Sequence, residues 1–225
     1  MAEHFLHRLF NPRSVAVFGA SDRPGSVGAL VFQNLREGNF KGEVFPINPR
    51  REEVQGVEAY PTLEALGRPV DLAVITTPAH TVPAIIEACG ELGVHYAVVL
   101  SAGFREAGPE GTRLEKAVVE NAHRYGIRFI GPNCLGIMRP GIGLNTTFFK
   151  GDAAPGRLAL VSQSGALCTA VLDWAQDNRV GFSTVVSTGI SADIDFGEVL
   201  DYLIADTKTD SALLYIEAST TPAAS

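Results

Sequence analysis

The segment that most constrains the fold is an apolar run followed by a glycine-rich turn and a helical pattern, in residues 13–35, RSVAVFGASDRPGSVGALVFQNL. The unbroken apolar run 15–18 is typical of a parallel strand that is covered on both faces. Gly19 allows the chain to turn, and Gly25 and Gly28 allow the backbone to approach a ligand and the sheet. Because the first amides and the dipole of a helix bind phosphate, we expect a nucleotide-like ligand at this turn.

The spacing of this turn differs from the dinucleotide-binding pattern G-x-G-x-x-G. The small residues stand at Gly19, Ser21, Gly25 and Gly28, so the loop, here called the glycine turn (residues 19–28), is longer than in that pattern. A strand, turn and helix that pack together without any ligand is an alternative explanation. The residues at the ends of the later strands are therefore needed to decide which ligand, if any, is bound.

Apolar runs alternate with helical patterns along the whole chain, which is typical of a parallel α/β sheet. Four further strand-like runs follow in the first half, at 43–48, 71–76, 94–100 and 127–131. Helical spacing over 81–92 and 109–125 separates the last three of them. The pattern predicts a Rossmann-like domain with five parallel strands over residues 1–138.

The second half repeats the alternation on a smaller scale. Residues 139–156 are rich in glycine and proline and predict a linker. Residues 157–225 contain three strand-like runs and two helical patterns, which is small for an independent domain. We therefore expect an incomplete α/β domain and a chain that is a fragment of a longer product.

Charge and cysteine content exclude several classes of protein. The net charge of −7 argues against a nucleic-acid surface, and no apolar stretch approaches the ~20 residues that cross a bilayer. The N-terminus has no apolar leader, and the three cysteines form no C-x-x-C pair. The five histidines lack metal-ligand spacing. We therefore expect a cytoplasmic protein without a metal, a nucleic-acid partner or a membrane partner.

Ligands of open α/β sheets lie beyond the carboxyl ends of the strands. In this chain those ends carry small, polar or proline residues, namely Gly19, Ser21, Asn48, Pro49, Arg50, Thr77, Pro78, Ser101, Ala102, Gly103, Asn133 and Cys134. An NAD site usually has an acid after the second strand, whereas this chain has two arginines there. Arginines suit a phosphorylated ribose, as in NADP or coenzyme A (CoA), although solvated surface arginines remain an alternative.

Several of these stretches occur together, and in the same order, in one protein family. RLFNPRSVAVFGAS, INPR, ITTP, SAGF and IGPNCLGI resemble the CoA-binding domain of NDP-forming acyl-CoA synthetases. That superfamily includes ADP-forming acetate–CoA ligase and the α subunit of succinyl-CoA synthetase. VSQSGAL, DIDFGEVLDYL and LLYIE resemble the start of the family's next domain, which is flavodoxin-like. The resemblance covers residues 9–217 and implies that residues 157–225 are the first half of that domain.

The resemblance implies a CoA site that extends from the glycine turn to the last strand end of the first half. In order, the implied contacts are Gly19, Ser21 and Gly28 at the pyrophosphate, Asn48, Pro49 and Arg50 at the adenine end, Thr77 and Pro78 at the middle, Ser101, Ala102 and Gly103 along the path, and Asn133 and Cys134 nearest the thiol. We expect Cys134 to be a buried apolar residue, because a thiol is inert unless its pKa is lowered.

A second candidate site is the turn at residues 162–165, here called the phosphate turn. Its hydroxyls, Ser162 and Ser164, precede a predicted helix, where hydroxyls and amides bind phosphate. A serine hydrolase is excluded, because Ser162 replaces the first glycine of G-x-S-x-G and no histidine follows. The resemblance implies that this turn cradles a phosphohistidine that Glu217 orients, although an ordinary strand-end acid is the alternative for Glu217.

The phosphorylated histidine and the ATP-grasp domain of the family have no counterpart in this sequence. We therefore expect a CoA-binding or acyl-CoA-binding part of a ligase, which completes no reaction alone and acts with an ATP-grasp domain or subunit in cis or in trans. One alternative is an acyl-CoA-sensing regulatory module, as in bacterial protein lysine acetyltransferases. Another is an NADP-dependent oxidoreductase, against which stand the glycine spacing and the lack of a hydride-transfer partner.

Four acids near the last predicted helix could be read as a metal site: Asp193, Asp195, Glu198 and Asp201. Acids at and just before a helix start commonly cap it and interact favourably with its dipole. We therefore expect helix capping at this position, with no metal ion bound.

Overall fold

The computed structural model describes residues 4–217, and the first half of this range contains the predicted five-stranded parallel sheet. Within the described residues, the first half has seven strands, five in this sheet and two in a hairpin: β1 (Ser14–Phe18), β2 (Glu43–Ile47), β3 (Glu53–Val54), β4 (Val57–Glu58), β5 (Leu72–Ile75), β6 (Tyr96–Val99) and β7 (Arg128–Ile130). The sheet has the order β2-β1-β5-β6-β7, with all neighbours parallel, and β3 and β4 form a separate hairpin. The predicted α/β fold class is confirmed.

Helices cover this sheet, and local sequence sets where they begin and end. They are α1 (His7–Phe10), α2 (Val27–Glu37), α3 (Leu63–Leu66), α4 (Val82–Glu91) and α5 (Pro109–Tyr125). Helix α2 follows Ser26, whose Oγ accepts a hydrogen bond from the amide of Ala29 at 3.3 Å. Helix α5 ends at Tyr125, and the next residue, Gly126, has a φ of +68°, a left-handed conformation that favours glycine. The predicted helices at 81–92 and 109–125 are therefore confirmed.

The second half forms another five-stranded sheet. Its elements are β8 (Gly136–Arg139), β9 (Leu144–Asn145), β10 (Pro155–Ser162), α6 (Gly165–Asn178), β11 (Phe182–Ser187), α7 (Phe196–Ala205) and β12 (Ser211–Tyr215). The order is β12-β10-β11-β8-β9. Strand β10 is parallel to β11 and β12, whereas β8 is antiparallel to β11.

The predicted boundary at 138 falls inside a strand of this second sheet. Strand β8 pairs with β11 and β9, and β9 lies within the predicted linker 139–156. The side chains of Asn145, Thr146 and Thr147 in that segment are buried. The three strands predicted in residues 157–225 are present as β10, β11 and β12. Strands β8 and β9 were not predicted, because glycine, proline and polar residues leave no apolar run in this segment.

The two halves share an apolar interior. One core cluster contains Val17 of β1 together with Val161 of β10 and Val186 of β11. Among residues 4–217, no helix combines the length and the apolar character that crossing a membrane requires. The packing of the halves against each other places the carboxyl ends of both sheets beside one cleft.

Candidate functional site

A cleft of about 840 Å³ lies between the carboxyl ends of the two sheets. Its wall on one side is formed by residues that follow β5, β6 and β7, and on the other side by the first turn of α6. Glu217, which follows β12, lines the same cleft. The cleft therefore lies at the edge where open α/β sheets bind their ligands.

Each sheet has a switch point, where successive strands of the chain begin to be added on the opposite side of the first strand. In the first sheet β1 lies between β2 and β5, so the crevice is between the loops that follow β1 and β5. In the second sheet β10 lies between β11 and β12, so the crevice is between the phosphate turn and Glu217. Because such switch points are the usual ligand sites of these sheets, topology favours the same four loops that the motifs indicate.

The structure brings part of the predicted site together on the wall of the cleft. The predicted residues that line it are Thr77, Pro78, Ser101, Ala102, Asn133, Cys134, Ser164 and Glu217. The other predicted residues, all within the described chain, lie outside that wall, namely Gly19, Ser21, Gly25, Gly28, Asn48, Pro49, Arg50, Gly103 and Ser162. From the glycine turn, Val27 reaches the cleft. The predicted thiol end and the phosphate turn thus share one cavity.

In the glycine turn, two glycines are required by packing. Gly19 has a φ of +87°, and a Cβ there would lie 2.7 Å from Oγ1 of Thr76. A Cβ on Gly28 would collide with the carbonyl oxygen of Gly19. Gly25 has a φ of +75°, and a Cβ on it would meet nothing within 4 Å. Gly19 and Gly28 therefore allow α2 to approach the end of β1, and Gly25 supplies the left-handed backbone of an open turn.

The predicted adenine end is held by Asn48 and by a residue that the sequence analysis missed. Asn48 donates through Nδ2 to the carbonyl of Ala20 at 2.8 Å and accepts from the amide of Arg50 at 2.9 Å. Gln55, between β3 and β4, donates through Nε2 to the carbonyls of Ser21 and Ala29, both at 3.0 Å. The hairpin thus fixes the glycine turn, and the sequence Gln-Gly between two valines was the available signal for it.

The thiol end of the predicted site is shaped by backbone hydrogen bonds. The buried Ser101 donates through Oγ to the carbonyl of Thr77 at 2.5 Å, and the amide of Asn133 donates to the carbonyl of Ser101 at 2.9 Å. Cys134 lies 3.4 Å from the carbonyl of Val99, and burial raises the pKa of its thiol to about 12. This thiol is therefore protonated at neutral pH, as expected for a buried apolar residue.

The phosphate turn is organised by its own hydroxyls. Ser164 caps α6, because its Oγ accepts from the amide of Leu167 at 3.2 Å. Ser162 is buried, and its Oγ accepts from the amide of Ser164 at 3.1 Å. Gln163, which the sequence analysis missed, accepts through Oε1 from the amide of Glu217 at 2.6 Å. The turn and Glu217 are therefore held together, and Ser162 supports the turn from outside the cavity.

Two family models match the chain, one in each half, and the matched ranges do not overlap. The model described as CoA binding domain matches residues 13–140, which is more than half of the chain. The chain belongs to this CoA-binding domain family. A second model, described as succinyl-CoA ligase like flavodoxin domain, matches residues 155–224. The resemblance derived from the motifs is thereby confirmed, and CoA, not NADP, is the ligand after which the family is named.

Relatives of this CoA-binding chain include longer acyl-CoA ligases. An ADP-forming acetate–CoA ligase I of Archaeoglobus fulgidus is 48% identical over 212 residues, which are 94% of this chain and 31% of that protein. The α subunit of ADP-forming acetate–CoA ligase II of Pyrococcus furiosus is 47% identical over 213 residues, or 94% and 46% of the two chains. The chain therefore spans less than half the length of these curated relatives.

A solved structure is similar to the CoA-binding chain over both halves. It is the dinucleotide-forming acetyl-coenzyme A synthetase 1 of Candidatus Korarchaeum cryptofilum, in complex with phosphate and ADP. The similarity has a TM-score of 0.93 at 39% identity and covers 98% of this chain and 47% of the other. The packing of the two sheets described here is therefore shared with a ligase structure.

The acids near the last helix of this CoA-binding chain have structural partners. Asp195 caps α7 and forms a capping box with Glu198, as the sequence predicts. Asp193 and Glu198 bind the guanidinium of Arg128, and Asp201 binds His4. Among residues 4–217, no group of three or more histidine, cysteine or acidic side chains is placed to hold a metal ion.

Proposed function

We propose that this chain is the CoA-binding portion of an ADP-forming acyl-CoA synthetase. CoA lies along the strand ends of the first sheet, with its pyrophosphate at the glycine turn and its thiol near Asn133. The observation that carries the proposal is the cleft, which has Asn133 on its wall together with Ser164 and Glu217. A thiol and a phosphate bound at these places share one cavity.

This arrangement suits the exchange of a thioester for an acyl phosphate. A phosphate oxygen attacks the acyl carbon of acyl-CoA, the carbon–sulfur bond breaks, and the sulfur takes the proton of the phosphate. The products are an acyl phosphate and CoA, and the reverse reaction forms the thioester. Ser164 and the first amides of α6 bind the attacking phosphate, because hydroxyls and free amides at a helix N-terminus bind anions and fixed dipoles need no reorganisation during the acyl transfer.

The apolar part of the cleft suits the pantetheine arm of CoA. Val27, Leu100, Leu135 and Phe148 line the cavity between the two sheets. Apolar walls with a few fixed polar groups are typical of cofactor sites, since the apolar surface supplies affinity and the polar groups orient the ligand. The arm thereby reaches from the glycine turn to Asn133 without burying charge.

A complete ligase needs further groups. We infer that an ATP-grasp domain or subunit, in cis or in trans, transfers the phosphoryl group to ADP through a histidine that Glu217 orients. The description of one relative as an α subunit supports such a partner. In this proposal the first half binds CoA, and the phosphate turn of the second half binds first the free phosphate and then the phosphoryl group carried by that histidine.

Calorimetric titration of the whole chain with CoA, dephospho-CoA, NADP and inorganic phosphate tests this function. We expect CoA to bind and NADP to bind at least tenfold more weakly. Phosphate binding that Ser164→Ala abolishes supports the phosphate turn, and Thr62→Ala, which removes the N-cap of α3, is the matched control. Binding of CoA without phosphate would favour the regulatory-module alternative, and preference for NADP would contradict the proposal.

The adenine end is tested by Arg50→Ala. If Arg50 binds the 3′-phosphate of CoA, its loss weakens CoA by about 1–3 kcal/mol and leaves dephospho-CoA nearly unchanged. Arg113→Ala, which removes an exposed arginine on α5, is the control and changes neither affinity. Equal losses for both ligands would place Arg50 away from the 3′-phosphate.

A further inference from the structure

A segment of the second half lies along the outer edge of the first sheet. It consists of residues 188–194, between β11 and α7, and is here called the strap. Its amides at Ile190, Ala192 and Ile194 donate to the carbonyls of Pro132, Gly131 and Phe129 at 3.0, 2.9 and 3.1 Å. The partner numbers fall as the strap numbers rise, so the strap runs antiparallel to β7. The second half thus hydrogen-bonds to the end of β7 and to the loop that follows it.

Arg128 fixes one end of the strap. Its Nε donates to both carboxylate oxygens of Asp193 at 3.1 and 3.0 Å, and its Nη2 donates to both oxygens of Glu198 at 2.8 and 2.9 Å. Asp193 also accepts from the amide of Phe129 at 2.8 Å, and its side chain is only 7% exposed. This planar fork across two carboxylates is a contact that lysine cannot reproduce.

The other end of the strap contacts the wall of the cleft. Arg105 donates through Nη2 to the carbonyl of Ile190 at 2.5 Å. Gly189 packs so closely on the loop after β7 that a Cβ would collide with the carbonyl oxygen of Asn133. The strap therefore connects the ion pairs of Arg128 to Asn133, although Arg128 itself does not line the cleft.

We propose that Arg128 is a positioning residue, which acts through the strap to hold Asn133 where the thiol end of CoA meets the phosphate turn. This inference rests on the proposed function, because it assigns the thiol end of CoA to Asn133. Arg128 is therefore expected to affect the binding of the thiol half of CoA and not of its nucleotide half. The nucleotide half binds at the glycine turn, which follows β1, and strands β5 and β6 lie between β1 and β7. We therefore expect the affinity for the nucleotide half not to depend on the strap.

The test compares CoA with adenosine 3′,5′-bisphosphate, which carries the nucleotide half alone, by calorimetry on the whole chain. We expect Arg128→Ala to weaken CoA about tenfold and to leave the bisphosphate within about twofold, since positioning contacts modulate binding on this scale. Arg128→Lys retains the charge and restores part of the affinity for CoA. Arg157→Ala removes a similar two-pronged pair with Asp210 at the far end of β10 and leaves both affinities unchanged.

The outcomes distinguish this inference from the proposed function. Thermal unfolding of each variant establishes that it is folded at the titration temperature. If the unaltered chain binds no CoA, the proposed function fails, and the inference fails with it. If the unaltered chain binds CoA and folded Arg128→Ala binds it equally well, the inference alone is overturned. Equal weakening of CoA and the bisphosphate would also overturn it, because that result shows a general disturbance of the first half.

Discussion

Strands β5 and β12 are both parallel strands with apolar sequences, yet their burial is opposite. All four residues of β5, LAVI, are buried, whereas all five residues of β12, SALLY, are exposed. Strand β5 lies between β1 and β6 under helices on both faces, while β12 has β10 as its single neighbour within residues 4–217. The comparison separates two properties: an apolar run specifies the strand, and its place in the sheet specifies its burial.

The exposure of β12 contrasts with the chemistry of its side chains. Leu213, Leu214 and Tyr215 are 46%, 39% and 39% exposed. Unbroken apolar runs are typical of parallel strands covered on both faces, and bare edge strands tend to associate. Among the residues described, β12 has one unpaired edge and partly exposed side chains on both faces, whereas every residue of β8 is buried. We therefore expect β12 to contribute less to the stability of its sheet than β8 does.

The largest effect is expected from breaking the ion pair on the β8 side. Arg139 donates to Asp206 at 2.7 Å, and both side chains are 8% exposed. Arg139→Ala leaves the carboxylate buried without its partner, which costs about 3–5 kcal/mol in free energy of unfolding. Arg157→Ala, which breaks an exposed pair beside β12, costs about 0–1 kcal/mol. Urea unfolding of both variants checks this, and equal costs would refute the difference between the two sides.

The next effect comes from a matched pair of leucines in the two strands. Leu72 of β5 is 0% exposed, so Leu72→Ala removes buried methyl groups and leaves a cavity, at a cost of about 2–5 kcal/mol. Leu213→Ala, in β12, costs less than about 1 kcal/mol, because nearly half of that side chain already contacts water. The free energies of unfolding in urea decide. A loss at Leu213 as large as at Leu72 would mean that β12 is covered in solution.

A smaller effect on the free energy of unfolding is expected when the pH is lowered, because Asp206, in the turn before β12, becomes protonated. Burial alone would raise the pKa of Asp206, but hydrogen bonds and the charge of Arg139 lower it below the usual 3.8. A lowered pKa stabilises the fold above the ordinary value and ceases to do so as pH falls through the folded value. The difference in free energy of unfolding between the unaltered chain and Asp206→Asn should therefore shrink below about pH 4. A difference independent of pH would contradict this.

The first sheet could be predicted from the sequence because each of its strands is an apolar run bounded by turn residues. Strand β8 could not, because its two apolar side chains, Ile137 and Met138, are too few to form an apolar run and because it is paired with β11, nearly fifty residues later. The hairpin that carries Gln55 was missed for a similar reason, since each of its strands has two residues. Long periodic elements are visible in sequence, whereas short ones depend on partners that only the fold supplies.

The candidate site shows the same division. Asn133 and Ser164 could be named from motifs, because each follows a strand of its own sheet. Their common cavity could not, because it depends on how the two sheets pack. The strap, too, is visible only in the structure, since Arg128 and Asp193 are separated by 65 residues. The motifs therefore predict the chemistry of each loop, and the packing decides which loops act together.

The smallest expected effect on stability, and the sharpest test of the comparison, comes from charging β12. Leu213→Lys together with Tyr215→Lys places two charges on one face of the exposed strand, since alternate residues share a face. The free energy of unfolding should change by less than about 0.5 kcal/mol, as for other surface substitutions. In sedimentation velocity at high concentration, we expect the double variant to associate less than the unaltered chain, because lysines on an edge strand oppose pairing with another chain. The matched control is Ile204→Lys, which changes an 86% exposed residue of α7, outside the strand. If Ile204→Lys reduces association as strongly as the double variant of β12 does, the chain associates through the apolar surface of α7 and not through the edge of β12.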